Sequence, residues 1–223
     1  MVHEHTIKSF DEELERLQGK LMLMGKHVGA QLDASVNALI GRDSTQVEMI
    51  VKNDAVVDGL EHEVDRLTVH MLALRQPVGI DLRSILSALK IATDLERIAD
   101  YAANIAKHIE DLNITTFNGP LDSIVSMTDV AKTMLEDVLQ AYSRSDIKLA
   151  IDVWHRDELI DKVYGQLLIQ LRNSMKQDAM NIDPCTTFIF VGRSIERMGD
   201  HIKNIAEHIY YKVLGEDFPV DKN

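Results

Sequence analysis

A chain of 223 residues that is 45% hydrophobic but only 5% aromatic, with four Pro and eleven Gly, is long enough for a substantial core and composed for long helices rather than sheets or disorder. Thirty-six acidic residues against 24 basic ones leave a net charge of −12. That balance excludes broad contact with a nucleic-acid phosphate backbone and suits cations or basic protein surfaces.

From Ile7 the apolar positions 7, 10, 14, 17, 21, 24 and 28 alternate steps of three and four, the seam of a long helix packed nearly parallel to its neighbours. This helix is predicted to reach about Ile40, with Gly41 at its C-terminus and Asp43 or Ser44 capping the next. The second helix continues to about Arg75, with Val57, Leu60, Val64, Leu67, Met71 and Leu74 on one face and Asp54, Asp58, Glu61 and Asp65 on a flank. Gln76-Pro77-Val78-Gly79 breaks it. Asp81 is expected to cap the third helix, which buries Ile91, Leu95, Ile98, Ala102, Ile105 and Ile109 and ends near Asp111. Asn113–Pro120 is the longest non-helical stretch and divides the chain.

The second half repeats the plan. A fourth helix carries Ile124, Met127, Ala131, Met134, Val138 and Ala141, the loop Ser143–Asp146 supplies cap residues, and a fifth helix runs from about Ile147 toward Met180. Asp183 followed by Pro184 reads as the start of a sixth helix ending by Gly215. The expected fold is all-α: six long helices in two tandem antiparallel three-helix bundles, over 1–112 and 120–215, with a loose tail over 216–223. The N-terminus lacks an apolar signal region, no apolar run is long enough to span a membrane, and the lone Cys185 has no internal disulfide partner, so a cytoplasmic protein is expected.

The stretch Asp94–Ile109, DLERIADYAANIAKHI, matches Ser194–Ile209, SIERMGDHIKNIAEHI, at eight of sixteen positions in register, which marks a duplicated unit. Each copy carries a Glu and an Asp four residues apart, Glu96/Asp100 and Glu196/Asp200, followed four residues later by Asn104 or Asn204, all stacked along one helical flank. Across the hairpin of helices 2 and 3, Asp54 lies level with Asp100 and Asp58 with Glu96, because both pairs centre on Pro77 inside the turn. In the second half Asp157/Asp200 and Asp161/Glu196 centre between Asp178 and Ala179, a few residues before the Asp183-Pro184 break, so the level there is expected to be offset.

These positions lie away from the apolar stripe, beside a shoulder of Ala92, Ala99 and Ala103, and are expected at the surface rather than in a bundle core. Four converging carboxylates repel unless a cation neutralises them, and oxygen ligands favour Mg²⁺, Ca²⁺, Mn²⁺ or iron. Glu61, Asn104 and Asn204 are secondary ligand candidates. His108 and His208 recur as well but sit two turns further on and about 80° around the helix, outside the natural ligand set. Trp154 and the methionines read as packing residues. No phosphate-binding glycine loop, nucleophile elbow or Cys-x-x-Cys pair points to catalysis. The one enzymatic alternative, a di-iron carboxylate oxidase or ferritin-like metal store, lacks its Glu-x-x-His pair here.

Over essentially its whole length the chain resembles the PhoU family of phosphate-specific transport accessory proteins, on a DxxxD in the second helix of each repeat (Asp54/Asp58, Asp157/Asp161) and an ERxGD-like stretch in the third (Glu96/Asp100, Glu196/Asp200). "RQPVGIDLR" at Arg75–Arg83 resembles the family's hairpin turn, while its second-repeat counterpart is reduced to "NIDPC". Ala99 replaces the family's Gly in the first repeat, a change expected to preserve close helix approach. Tyr164 and Leu168 stand where Glu61 and Asp65 do, which implies fewer or weaker ions in the second site.

The resemblance implies a non-enzymatic negative regulator of phosphate uptake and phosphate-starvation signalling. Such a regulator acts between the ATPase subunit of the phosphate ABC transporter and a PhoR-type sensor histidine kinase, reaching the membrane only through its partners. It also implies metal on the carboxylate faces (iron, Zn, Mg or Mn), a possible homodimer, and a partner-binding loop at Arg75, Pro77, Asp81 and Arg83. A related regulator serving another transporter is the nearest alternative.

Overall fold

The three-and-four spacing folds into the helices it spells. The computed structural model describes residues 2–113, 115–117 and 119–219, with side chains from Phe10 onward. Helix α1 spans Val2–Gly41, α2 Val47–Arg75, α3 Gly79–Lys107, a short α4 Ile109–Asn113, α5 Leu121–Arg144, α6 Ile147–Gln177 and α7 Ile182–Leu214. No strand occurs among the described residues. In the first seam Leu17, Leu21, Met24 and Val28 are buried, as are Ile124, Met127, Ala131, Met134 and Val138 in α5. Ile7, the seam's first member, lies outside the described side chains.

Helices α1–α3 and α5–α7 form two three-helix bundles, joined most extensively along α3 and α7. Those two helices run antiparallel: the Arg83 guanidinium donates to the Lys212 carbonyl at one end, Asp94 meets His201 in the middle, and His108 stacks on Phe190 at the other end. One continuous core, from Leu17 to Ile209, runs through both repeats, because α3 and α7 each bury residues on more than one side. No helix is long and apolar enough to cross a membrane among the described residues.

Several helix ends differ from the sequence reading. The left-handed residue after α1 is Arg42 rather than Gly41; its guanidinium donates to the carbonyls of Leu112, Thr115 and Phe117 and so ties this turn to the inter-repeat segment. Asp43 caps a 3-10 turn, Ser44–Gln46, ahead of α2. Helix α3 begins at Gly79, so Asp81 sits inside the first turn, where a carboxylate still favours the helix dipole, and makes no cap. It ends at Lys107, with α4 following a turn at His108. Helix α6 stops at Gln177, Asp178 caps the 3-10 turn Ala179–Asn181, and α7 starts at Ile182, two residues earlier than the Asp183-Pro184 signal suggests. Proline is compatible with any first-turn position, because those N–H groups have no intrahelical partner. Of the tail expected over 216–223, residues from 220 on lie outside the described ones.

Candidate functional site

Two facing helices hold each carboxylate cluster. In the first repeat α2 presents Asp54, Asp58 and Glu61 to Glu96 and Asp100 of α3. Burial pushes the Glu96 carboxyl up to about 7, with Asp100, Glu61 and Asp58 adding repulsion and Arg97 opposing it. Burial also raises Asp54, opposed by a hydrogen bond from Gln31 and reinforced by Asp100 and Asp58. The five acids therefore act on one another across the hairpin, at the shared level that the Pro77 turn sets. Arg97 is their nearest cation, 3.2 Å from Asp100 and 3.5 Å from Glu96; Lys107 lies farther off, with its ammonium on the Asn104 side-chain oxygen at 3.0 Å.

The second repeat brings Asp157 and Asp161 of α6 to Glu196 and Asp200 of α7. The turn is now centred on Ala179–Asn181, so the offset expected from a break at Asp183 is largely absent. Burial raises Asp157 to about 6, opposed by Lys203 and reinforced by Asp161 and Asp200. Burial and Asp200 raise Glu196, opposed by Arg193 and Arg197. Here three cations act on four acids: Arg193 donates to Glu196 at 2.8 Å, Arg197 to Asp200 at 3.1 Å, and the Lys203 ammonium lies 3.4 Å from Asp157.

Most of the cluster acids are half-buried and Asp161 is exposed, but one lies deeper than a surface site. Asp157 is only 2% exposed, and a Cβ at Gly199 would fall 2.5 Å from its Oδ1. Glycine at 199 thus lets the carboxylate lie flat against α7. Ala99 occupies the matching place in α3, and Asp54 there accepts a 3.2 Å hydrogen bond from the buried Gln31, whose amide also reaches the Ala99 carbonyl. The alanine shoulder of Ala92, Ala99 and Ala103 is buried, as its small side chains allow.

An all-oxygen donor set in which burial and neighbouring acids raise Glu96 and Asp54 suits a hard cation in the first repeat. As placed, the oxygens face one another without converging: among the described residues no three His, Cys, Asp or Glu side chains are gathered to grip one ion. Binding there requires side-chain rotation. Asp58, Glu96 and Asp100 would form the set, with Glu61 at its edge, now accepting from Thr93 at 3.1 Å.

The PhoU domain family matches residues 21–109 and again residues 124–209. The chain is 38% identical over 218 residues to a phosphate-specific transport system accessory protein PhoU homolog of Caulobacter vibrioides, covering 96% of this chain and 94% of that protein. The chain belongs to the PhoU family. A PhoU homolog of Clostridium acetobutylicum is 34% identical, over 98% of this chain and 99% of its own. Among solved structures, PhoU of Pseudomonas aeruginosa superposes with a TM-score of 0.89 at 34% identity, covering 93% of this chain and all of its own. The phosphate transport system regulatory protein PhoU of Streptococcus pneumoniae gives 0.88 at 28% identity, covering 95% of this chain and all of its own.

Within this PhoU fold, several candidate residues have other partners. The Asn204 amide donates to Asp94 at 3.4 Å, across the inter-repeat interface and away from Glu196. His208 Nε2 stands 3.2 Å from Asp94, and His108 lies beside Asp111 at 3.3 Å. In the hairpin loop Arg75 pairs with Glu13 of α1 at 2.7 Å, and Arg83 packs on the C-terminal end of α7, against Gly215. Pro77 and Asp81 are partly exposed, while Leu74, Val78 and Ile80 stand out into solvent.

Asp94 is a buried interface residue that the sequence reading passed over. It is 7% exposed, with Oδ1 at 2.8 Å from His201 Nδ1 and Oδ2 facing His208. Burial drives its carboxyl up, but the two histidines outweigh that and hold it below the ordinary range. In the sequence it is one of eight positions at which the two copies differ, with Ser194 as its counterpart.

Proposed function

We propose that this protein is a non-enzymatic accessory regulator that lowers phosphate uptake and phosphate-starvation signalling. It serves as an adaptor between the ATPase subunit of a phosphate ABC transporter and a PhoR-type sensor histidine kinase, on the cytoplasmic side of the membrane. The observation that carries this reading is end-to-end similarity to proteins named as accessory to the phosphate-specific transport system. The fold supports an adaptor by offering long polar helical faces and a turn with exposed Leu74, Val78 and Ile80, since Arg75 and Arg83 are engaged internally.

The first carboxylate cluster is part of the same proposal, as a site for a divalent cation such as Mn²⁺ or Mg²⁺, with iron and zinc as alternatives. Five acids with few compensating cations support it. The adaptor reading is tested by co-purification with the transporter ATPase and with the kinase at physiological salt. Retention of either, weakened by Val78→Glu, supports it; retention of neither overturns it. The cation is tested separately by soaking crystals in Mn²⁺, which should give anomalous density between α2 and α3 near Asp58 and Glu96.

A further inference from the structure

The two carboxylate clusters, alike in their acids, differ in what lies against them. In the second, Lys203 extends from α7 so that its ammonium stands 3.4 Å from the buried Asp157 and 4.3 Å from the centre of the Trp154 ring. That indole is fixed on several sides: its N–H donates to Glu207 at 2.9 Å, and Phe218 stacks on it at 4.9 Å, itself edge-on to Tyr210. A cation over an indole face and beside a buried carboxylate is held by ring quadrupole and ion pair together. Asp157 Oδ1 has no hydrogen-bond partner, so Lys203 is the donor that this carboxylate has.

Neither half of this clamp exists in the first repeat. Counted along the matched helices, Ala103 stands where Lys203 does and Val51 where Trp154 does. Ala103 cannot carry charge and Val51 cannot seat a cation. Arg193 likewise has Thr93 as its counterpart, which donates to Glu61 and leaves Glu96 without a second arginine. A metal ion entering the second cluster would have to displace a tethered ammonium and meet the positive field of two arginines as well. That cluster does not fit a metal ion.

We propose that Lys203 is the resident cation of the second cluster, clamped between Asp157 and Trp154. The second repeat then sets three resident cations against its four acids and needs no ion, and only the first repeat, where Arg97 is the nearest cation to five acids, recruits one. The second half of this inference rests on the cation site proposed above; the first half does not.

Mn²⁺ bound by the full-length protein, counted by equilibrium dialysis with electron paramagnetic resonance, tests both halves. The expected stoichiometry is about one ion per chain, lost in Glu96→Gln/Asp100→Asn and retained in Lys203→Arg, which keeps charge and stacking. Lys203→Met should bind about two. Two ions in the unaltered protein, or one in a folded Lys203→Met variant, overturn the proposal while leaving the first-repeat site standing.

If neither protein binds Mn²⁺, the cation site is wrong, and urea unfolding of Asp157→Asn, Lys203→Met and the double variant decides the lysine's role. Losses that are less than additive support the clamp. Strictly additive losses overturn it.

Discussion

Glu96 and Asp94 lie two residues apart in one helix, yet their environments push them in opposite directions. Burial and neighbouring acids raise Glu96 to about 7, so the folded protein holds a proton there that the unfolded chain releases near 4.5. Its contribution is full below the unfolded value and disappears as pH rises through about 7. Metal-free protein should therefore lose stability across that window, and Glu96→Gln should gain on the parent as pH rises, read as the difference in thermal midpoint from acid to neutral pH. A gap that stays constant would show that Glu96 is not desolvated as described. Asp94 has the reverse sign: its carboxyl is depressed by His201 and His208, so its contribution is present above the ordinary carboxylate range and disappears on acidification. Asp94→Ala leaves both imidazoles without their shared acceptor and should cost about 1–3 kcal/mol in urea unfolding at neutral pH. A loss no larger than that of an exposed acid such as Glu110 would count against its role as the inter-repeat tie.

At the scale of elements, one glycine face separates the two repeats. Gly192 and Gly199 of α7 accept the side chains of α6, where a Cβ would fall 2.6 Å from Leu167 and 2.5 Å from Asp157. Their counterparts in α3 are Ala92 and Ala99. Where Asp157 lies against Gly199, Asp54 beside Ala99 instead accepts a hydrogen bond from the buried Gln31 of α1. Gly199→Ala should therefore displace a buried carboxylate and cost about 1–3 kcal/mol, while the mirror change Ala99→Gly should cost no more than the usual helix propensity penalty of about 1 kcal/mol. Urea midpoints of the two variants check the asymmetry.

The helices and the level matching of acids were legible in the sequence because both depend on spacing along a helix and on the position of one turn. Asp94 was not, because its partners His201, Asn204 and His208 lie more than a hundred residues away on a helix whose rotation no local pattern specifies. Lys203 was hidden for the same reason. Its clamp needs Trp154 from another helix, and a lysine on a helical flank reads as an ordinary solvated charge.

Across the whole molecule, the duplication suggests two bundles that fold separately, but the packing argues for one unit. Helices α3 and α7 are each the most buried of their bundle and pack on each other, Asp94 ties three α7 residues to α3, and Arg83 at one end and the His108–Phe190 stack at the other fasten the inter-repeat contact. Separating the repeats would expose part of the continuous core and strip a buried carboxylate of its donors, so a half-unfolded chain loses far more than one helix contact. Trp154 is the chain's single tryptophan and lies in the second repeat, whereas helical circular dichroism draws on both. The two probes should therefore trace one coincident urea transition. A fluorescence midpoint separated from the dichroism midpoint would show that the repeats unfold independently. Asp94→Ala should be the change that first pulls the two curves apart, because it weakens the junction without touching the core of either bundle.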